Sequence, residues 1–588
     1  MVFPWKPVTA ASVTIAYLAT STLKQTWTIS AFLRYFAGSW ILGFACWAFW
    51  SVILYPKFFS PLIGLPEPEN PSWLHGQWSK IRDLPTGVPM LEWVSTVPND
   101  GLIRYLAMFN EERILVTSPK ALAEVLVTKA YDFKKPGMVR HTIGRILGIG
   151  VLLAEGDEHR FQRKNLMPAF AFRHVKDLYP VFWDKAREGV QAMTEQILAD
   201  AGKESSSSSP ATTTTEKVGD SSSSSSSSGK TAVLEVSAWA SRITLDIIGV
   251  AGLGRDFGAI SDQTNSLFRT YNSLFQPSRE ARLLTTLGFV LPAWLVTRLP
   301  VRRNGDIREA AGLIRGVCFD LIREKKERLG RGEPAGADIL SVALGSGGFT
   351  EANLVDQLMT FLAAGHETTA SSMTWAVYLL ARHPGVQRRL REEVRARLPP
   401  PGAAAVSSLD VDHLPYLSAV CSEVLRYYPP VPMTLREAAV DTTILGRRVP
   451  AGTRIVISPA ATNKDPLLWG AEAAQFNPDR WLSRQQQQQH DDGEKVDRDG
   501  HRSAAAAGGG GASSNYAFLS FLHGPRSCIG MGFARAEFAC LLAAWVGRME
   551  FELRDKEELD ERNMEIKGGV TQRPAKGLWV KATVLDGW

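Results

Sequence analysis

The sequence predicts a mainly α chain with a small β region, preceded by an N-terminal transmembrane helix. Three observations carry this. An uncharged run, Tyr35 to Tyr55, is long enough to cross a bilayer. Apolar residues recur at helical spacing over Val233–Val250, Ile307–Arg323 and Glu351–Arg382. Short apolar runs between Arg104 and Glu124 read instead as a β-hairpin.

Taken in order, the 21-residue run YFAGSWILGFACWAFWSVILY has aromatic ends and is flanked by Arg34 and Lys57, which suits the two faces of a hydrocarbon layer about 30 Å thick. Pro7 to Leu23 is also uncharged but rich in Ser and Thr, so a second span or an interfacial helix are both open there. Pro56, Pro61, Pro66, Pro68 and Pro71 stiffen a connector. Residues 1–64 are therefore expected to form anchor and connector, and 65–588 the main folded unit. In the hairpin region Pro119 stands where a following helix would place its first residue.

The segment GDEHRFQRKNLMPAF predicts a helix that sets His159 and Arg163, four apart, on one face. Two insertions, 204–230 and 485–514, consist of serine, threonine, glutamine, alanine and glycine tracts that cannot bury apolar surface, and disordered surface loops are expected. Leu283 to Pro300, Leu-rich and broken by Pro292, reads as an amphipathic segment that dips into a membrane or packs as an ordinary helix.

Composition sets outer limits. With 588 residues, 45% hydrophobic and 21% charged, the chain can bury a large core. Its formal charge of +6 is too dilute to propose nucleic acid. Five cysteines, odd in number and without a C-x-x-C pair, argue against a disulfide framework and a zinc site and for a reducing compartment.

Three constellations could carry chemistry. The helix Glu351–Arg382 contains Ala364-Gly365-His366-Glu367-Thr368-Thr369. A glycine inside a helix costs roughly 1 kcal/mol relative to alanine. Small residues at 363–365 are expected to open a groove where a ligand approaches the backbone, and a threonine hydroxyl there can bond to the preceding turn. Glu423-Val424-Leu425-Arg426 places an acid and a base at i and i+3. It is followed by Tyr427-Tyr428-Pro429-Pro430 and later by Phe476-Asn477-Pro478-Asp479-Arg480-Trp481. Finally, Phe521-Leu522-His523-Gly524-Pro525-Arg526-Ser527-Cys528-Ile529-Gly530 sets one cysteine in a loop punctuated by glycine and proline. A thiolate there, with Gly524 and Gly530 free to take unusual dihedrals and aim N–H groups at the sulfur, suits a haem iron. Arg526 adds positive charge and Phe521 shields the ligand.

In this order the segments resemble the cytochrome P450 family, whose loop reads F-x-x-G-x-R-x-C-x-G and whose distal helix reads A-G-x-E-T-T. The resemblance implies the P450 fold and haem b, with Cys528 as axial thiolate and metal ligand. It also implies that Thr368 and Glu367 are catalytic, binding dioxygen and relaying protons to it. Arg163, His159 and Arg436 would reach the haem propionates, with His159 standing where the family usually has tryptophan. Glu423, Arg426 and Arg480 would form the buried network that fixes the loop. Phe361, Ala364, Val431, Met433, Val570 and Thr571 would line a substrate pocket for a hydrophobic molecule.

The activity so implied is insertion of one atom of O₂ into a C–H bond or alkene. Electrons would come from NADPH through a separate cytochrome P450 reductase, with cytochrome b5 as a further partner, because no G-x-G-x-x-G signature or fused flavin domain is visible. The inserts look fungal in type, and a biosynthetic or detoxifying role at the endoplasmic reticulum, with the catalytic domain facing the cytosol, follows from the resemblance. A P450-fold isomerase or dehydratase working without O₂, and a membrane haem carrier or sensor, are the rival readings.

Overall fold

The computed structural model describes residues 4–23, 28–69, 71–207, 230–275, 280, 283–284, 287–288, 291, 293–334, 336, 338–400, 404–482, 510–567 and 569–588. The two expected insertions lie outside these residues except at their ends; the helix Tyr179–Ser207 carries the first residues of one. The expected amphipathic segment Leu283–Pro300 falls partly outside them.

The chain divides into two units. The first takes in Met1–Leu84, Glu92–Lys134 and Leu435–Ile457. It begins with two helices, Trp5–Leu23 and Ile29–Phe49, the second continuing as a more widely wound π-helical stretch over Trp50–Phe59. Together Ile29–Phe59 is 31 residues long and apolar enough to cross a membrane, which takes in the expected span at both ends. The end of this stretch is tied down by Arg104, a buried side chain that donates to the Pro56 carbonyl and pairs with Glu112 (2.7 Å) and Glu67.

The expected hairpin is present, as antiparallel strands Leu102–Leu106 and Glu112–Val116 with Leu102 opposite Val116 and Leu106 opposite Glu112. They lead a five-stranded sheet completed in order by Arg454–Ile457, Thr434–Ala438 and Phe133–Lys134. Ser118 caps the helix Pro119–Ala123, accepting from the Ala121 N–H at 3.3 Å, with the proline in the first turn where its missing N–H costs nothing.

The second unit takes in Pro85–Leu91, Lys135–Thr434 and Ser458–Trp588. Its axis is the 32-residue helix Glu351–Arg382, capped by Thr350 and buried along most of its length. The helices Val236–Ile247, Arg302–Gly330 and Met531–Arg548 pack on it. Trp375, Trp183, Trp545, Phe182 and Phe538, all fully buried, fill the core between them. The expected helix over Val233–Val250 needs correction at its start. Thr231–Glu235 is a strand, paired antiparallel with Trp579–Val584, which also pairs with Met549–Leu553. Its alternating exposure is the strand period, and the Glu235 carboxylate then caps the helix by accepting from the Ser237 N–H at 3.1 Å.

Candidate functional site

The loop before the helix Met531–Arg548 is closed on itself. The Cys528 N–H donates to the Phe521 carbonyl at 2.8 Å, and the Ser527 N–H to the Gly524 carbonyl at 3.0 Å. Gly524 takes φ +75°, which only glycine adopts without strain. Gly530 departs from expectation, with φ −90° and ψ 18°, a conformation open to any residue. Its contribution is its N–H, which points at the Cys528 sulfur. Burial pushes the Cys528 thiol up, and the Gly530 N–H and the Arg163 charge offset only part of that rise. The side chain is nonetheless exposed, so the sulfur faces open space from within the fold.

Arg163, on the helix Gly156–Leu166, reaches this loop directly. Its Nη1 donates to the Ser527 carbonyl at 2.7 Å and its Nη2 to the Ser527 hydroxyl at 3.2 Å. His159, one turn earlier, is buried. Arg526 pairs with Glu155, whose other oxygen accepts from the Lys135 N–H at 2.8 Å. The Phe521 ring lies 6.4 Å from Phe518 and 5.5 Å beneath the Arg535 guanidinium, and so packs at the base of the loop.

Beneath it the expected charge network is fully formed and almost wholly buried. Arg426 donates twice to Glu423, both at 2.8 Å, and gives its other protons to the carbonyls of Asn463, Ala473 and Gln475 at 2.7–2.8 Å. Glu423 accepts further from Arg480 (3.1 Å), Trp481 Nε1 (2.9 Å) and the Asn477 N–H (2.8 Å). The one carboxylate thus serves both arginines, and the remaining Arg426 protons go to carbonyls, so each charged group is hydrogen-bonded, the condition under which buried charge is tolerated. Asn463, which the sequence reading missed, carries this order to the loop. Its Nδ2 donates to Ser520 (2.9 Å), its Oδ1 accepts from the Leu519 N–H (2.8 Å), and Ser520 in turn donates to the Leu425 carbonyl (2.7 Å).

On the helix Glu351–Arg382, Ala364 is exposed and Thr368 half-exposed in a stretch whose neighbours are buried. The Thr368 hydroxyl donates to the Ala364 carbonyl at 2.8 Å, the expected bond to the preceding turn. Gly365 is packed closely on one side. A Cβ there would stand 2.9 Å from the Ile248 side chain, so the glycine admits the neighbouring helix. His366 is a core residue: burial pushes it down to about 4, its Nδ1 lies 2.6 Å from the Leu362 carbonyl, and its ring meets Tyr271 edge-on.

Glu367 is buried and held at Oε1 from far along the chain, by the Thr571 hydroxyl at 2.7 Å and by an ion pair with Arg573. The same turn is strapped to the helix because the Gln572 carbonyl accepts from Ser371 (2.7 Å) and Trp375 Nε1 (3.1 Å). Thr571 is therefore a partner of Glu367 rather than part of an apolar wall. Thr369 donates at 2.9 Å to Glu537, a fully enclosed carboxyl that burial holds well above the ordinary range. Neither Arg573 nor Glu537 entered the sequence reading. Glu537 had one signal, an acid inside the apolar run Phe533–Val546; Arg573 had none.

Of the other expected pocket residues, Phe361 is buried edge-on to Phe170 at 5.5 Å, Val431 and Met433 are half-buried, and Val570 is exposed. Arg436 belongs to the first unit, where it is buried and donates to the Leu435 carbonyl at 2.9 Å.

The sequence profile of the family described as Cytochrome P450 matches residues 66–579. The chain belongs to the cytochrome P450 family. It is 46% identical over 558 residues to the cytochrome P450 monooxygenase FUM15 of Gibberella moniliformis, covering 90% of each chain. It is 43% identical over 588 residues to ALT8 of Alternaria alternata, covering 95% of this chain and 96% of the other. It is 46% identical over 549 residues to sphH of Aspergillus fumigatus, covering 92% and 91%. All three relatives bear the same description, cytochrome P450 monooxygenase. The protein is accordingly an oxidoreductase, a P450 monooxygenase using a haem-thiolate iron that draws electrons from NADPH through a reductase.

The residues present fit that group. A P450 haem needs an accessible sulfur, and Cys528 is exposed, with the Gly530 N–H and the Arg163 charge offsetting part of the rise that burial imposes on its thiol.

Proposed function

We propose that Cys528 supplies the axial thiolate and that the enzyme oxygenates a hydrophobic small molecule, by hydroxylation or epoxidation, in biosynthesis or detoxification. The observation that carries this is the Cys528 sulfur, open on one side and backed by the Gly530 N–H and Arg163. When bound, the haem supplies oxygen activation. The chain's own part is to hold the ligand, exclude water and deliver protons.

Arg163 and the Glu423–Arg426–Arg480 network keep the loop from relaxing around the sulfur. Thr571 and Arg573 fix Oε1 of Glu367, leaving Oε2 to take and give a proton beside Thr368. For Thr368 to donate toward the pocket, its hydroxyl must turn away from the Ala364 carbonyl. Phe361, Ala364, Val431, Met433 and Val570 supply the mainly apolar wall that selects the substrate. The run Ile29–Phe59 anchors the enzyme in a membrane, by family analogy that of the endoplasmic reticulum with the catalytic unit in the cytosol. A cytochrome P450 reductase, and in some turnovers cytochrome b5, would be the partners.

The test is the ferrous-CO spectrum. The wild-type chain should give the thiolate band, Cys528→Ala should lose it, and Cys528→His, which can still bind iron, should move it to the histidine-ligated position. Retention of the thiolate band in either variant would overturn the assignment. Comparing metabolites of cells with and without the chain, in the presence of reductase, then identifies the substrate.

A further inference from the structure

The first two helices are built inside out. Trp5–Leu23 and Ile29–Phe49 are joined through residues 24–28 and pack side by side, with Trp40 Nε1 donating to the Thr9 hydroxyl at 3.2 Å and Val8 reaching within 3.0 Å of where a Cβ on Gly43 would stand. The early part of one helix thus meets the later part of the other, an antiparallel hairpin. The residues buried between them are small or polar: Ser12, Ala16 and Thr20, one turn apart on the first helix, and Ala31 on the second. The residues turned outward are large and apolar. Ile15, Tyr17 and Leu18 are 52–59% exposed on the first helix, and Ile29, Ile41 and Leu42 are 63–68% exposed on the second.

Water selects the opposite arrangement, because about 25 cal/mol is lost for each Å² of apolar surface left exposed. Lipid selects this one: small residues let backbones approach, and the apolar surface faces the hydrocarbon. The first helix, less apolar than the second, still has a bilayer's length. Its 19 residues rise about 28 Å at 1.5 Å each, near the thickness of the hydrocarbon layer. Three of its hydroxyls are satisfied within the helix, since Thr14, Thr20 and Thr22 donate to the carbonyls of Ala10, Ala16 and Leu18 at 3.1, 2.6 and 2.7 Å.

We propose that Trp5–Leu23 is a second transmembrane helix, so that the anchor is a two-span hairpin in lipid and the residues before Trp5 lie on the same side as the catalytic unit. This rests on the reading of Ile29–Phe59 as a membrane anchor and specifies its topology. In sealed microsomes the full chain, tagged at both ends, should resist carbonate extraction and lose both tags to added protease. A membrane-impermeant maleimide should label Thr26→Cys at that position only after the vesicles are permeabilised. A protected N-terminal tag, or labelling of residue 26 in intact vesicles, in a chain that still resists carbonate would overturn the hairpin while leaving a single anchor standing. Release of the chain by carbonate would instead remove the anchor itself.

Discussion

The loop that carries Cys528 and the helix that carries Thr368 are both set by buried polar groups, but over different reaches of chain. Arg426 meets the Asn463 carbonyl 37 residues on, and Asn463 meets Ser520 after a further 57. Glu367, beside Thr368, is held by Thr571 from 204 residues away. The loop's network is buried, with the Arg426 and Glu423 hydrogen bonds all made inside it. The carboxylate on the other side depends on a turn whose neighbour Val570 is exposed. Any movement of this turn is transmitted to Glu367 through Thr571 and Arg573.

The strongest way to break this contrast is to open the loop's network. Glu423→Ala leaves two arginines, Arg426 and Arg480, buried without their counter-ion. Removing one partner of a buried pair costs about 3–5 kcal/mol. The expected outcome is loss of most soluble haem-loaded protein, measured by the ratio of the ferrous-CO band to total chain. Asn463→Ala should do less to folding and more to the loop, giving a CO band that decays toward the inactive form on mild warming. If Glu423→Ala loaded haem as fully as the parent, the network would not be what holds the loop.

The other side should respond in rate and leave the haem in place. Arg573→Gln removes the charge from Oε1 of Glu367 but keeps a donor of similar reach. With the fold and the CO band unchanged, turnover should fall by about 10- to 100-fold, less than the roughly 10²–10⁴-fold that a positioned acid or base contributes, because Glu367 itself remains. Thr571→Val should give a smaller fall. Unchanged turnover in Arg573→Gln, with the CO band intact, would mean that Arg573 does not position Glu367.

The two sides also differ in how far the sequence disclosed them. The loop was legible because its parts come in short motifs whose physics is local: a cysteine among glycines, an acid and base one helical turn apart, an arginine after Asn-Pro. Even there Asn463 was hidden, since nothing marks an asparagine as a relay until the chain has folded around it. Thr368 could be read from a threonine pair inside a helix. Arg573 could not, because its pairing with Glu367 exists only once a C-terminal strand crosses the helix. The start of the second unit's sheet was missed for a related reason. Thr231–Glu235 alternates for only five residues before helical spacing takes over, and its strand identity comes from pairing with Trp579–Val584 at the far end of the chain. His159, where the family usually has tryptophan, is buried on the helix Gly156–Leu166.

Gly365 shows how the same motif can be read correctly for the wrong reason, and it supplies the finest test. The glycine was expected to open the helix to a ligand; in the structure it opens it to Ile248, where an added Cβ would meet both Cδ1 and Cγ1 at 2.9 Å. Alanine in a helix interior gains about 1 kcal/mol over glycine, but overpacking a close helix contact costs about 1–3 kcal/mol. Gly365→Ala should therefore lower the stability of the enzyme slightly, by up to about 2 kcal/mol, read as a lower midpoint in urea. Its CO band and its substrate affinity should remain. Ile248→Ala removes both crowding atoms and leaves Cβ at 3.5 Å, an ordinary contact. The double variant should accordingly be more stable than the sum of the two single losses, a coupling that only direct contact produces. If instead Gly365→Ala weakened substrate binding with no change in stability, and the coupling with Ile248→Ala were absent, the groove would belong to the ligand after all, and the distal helix would be shaped there by its chemistry rather than by its packing.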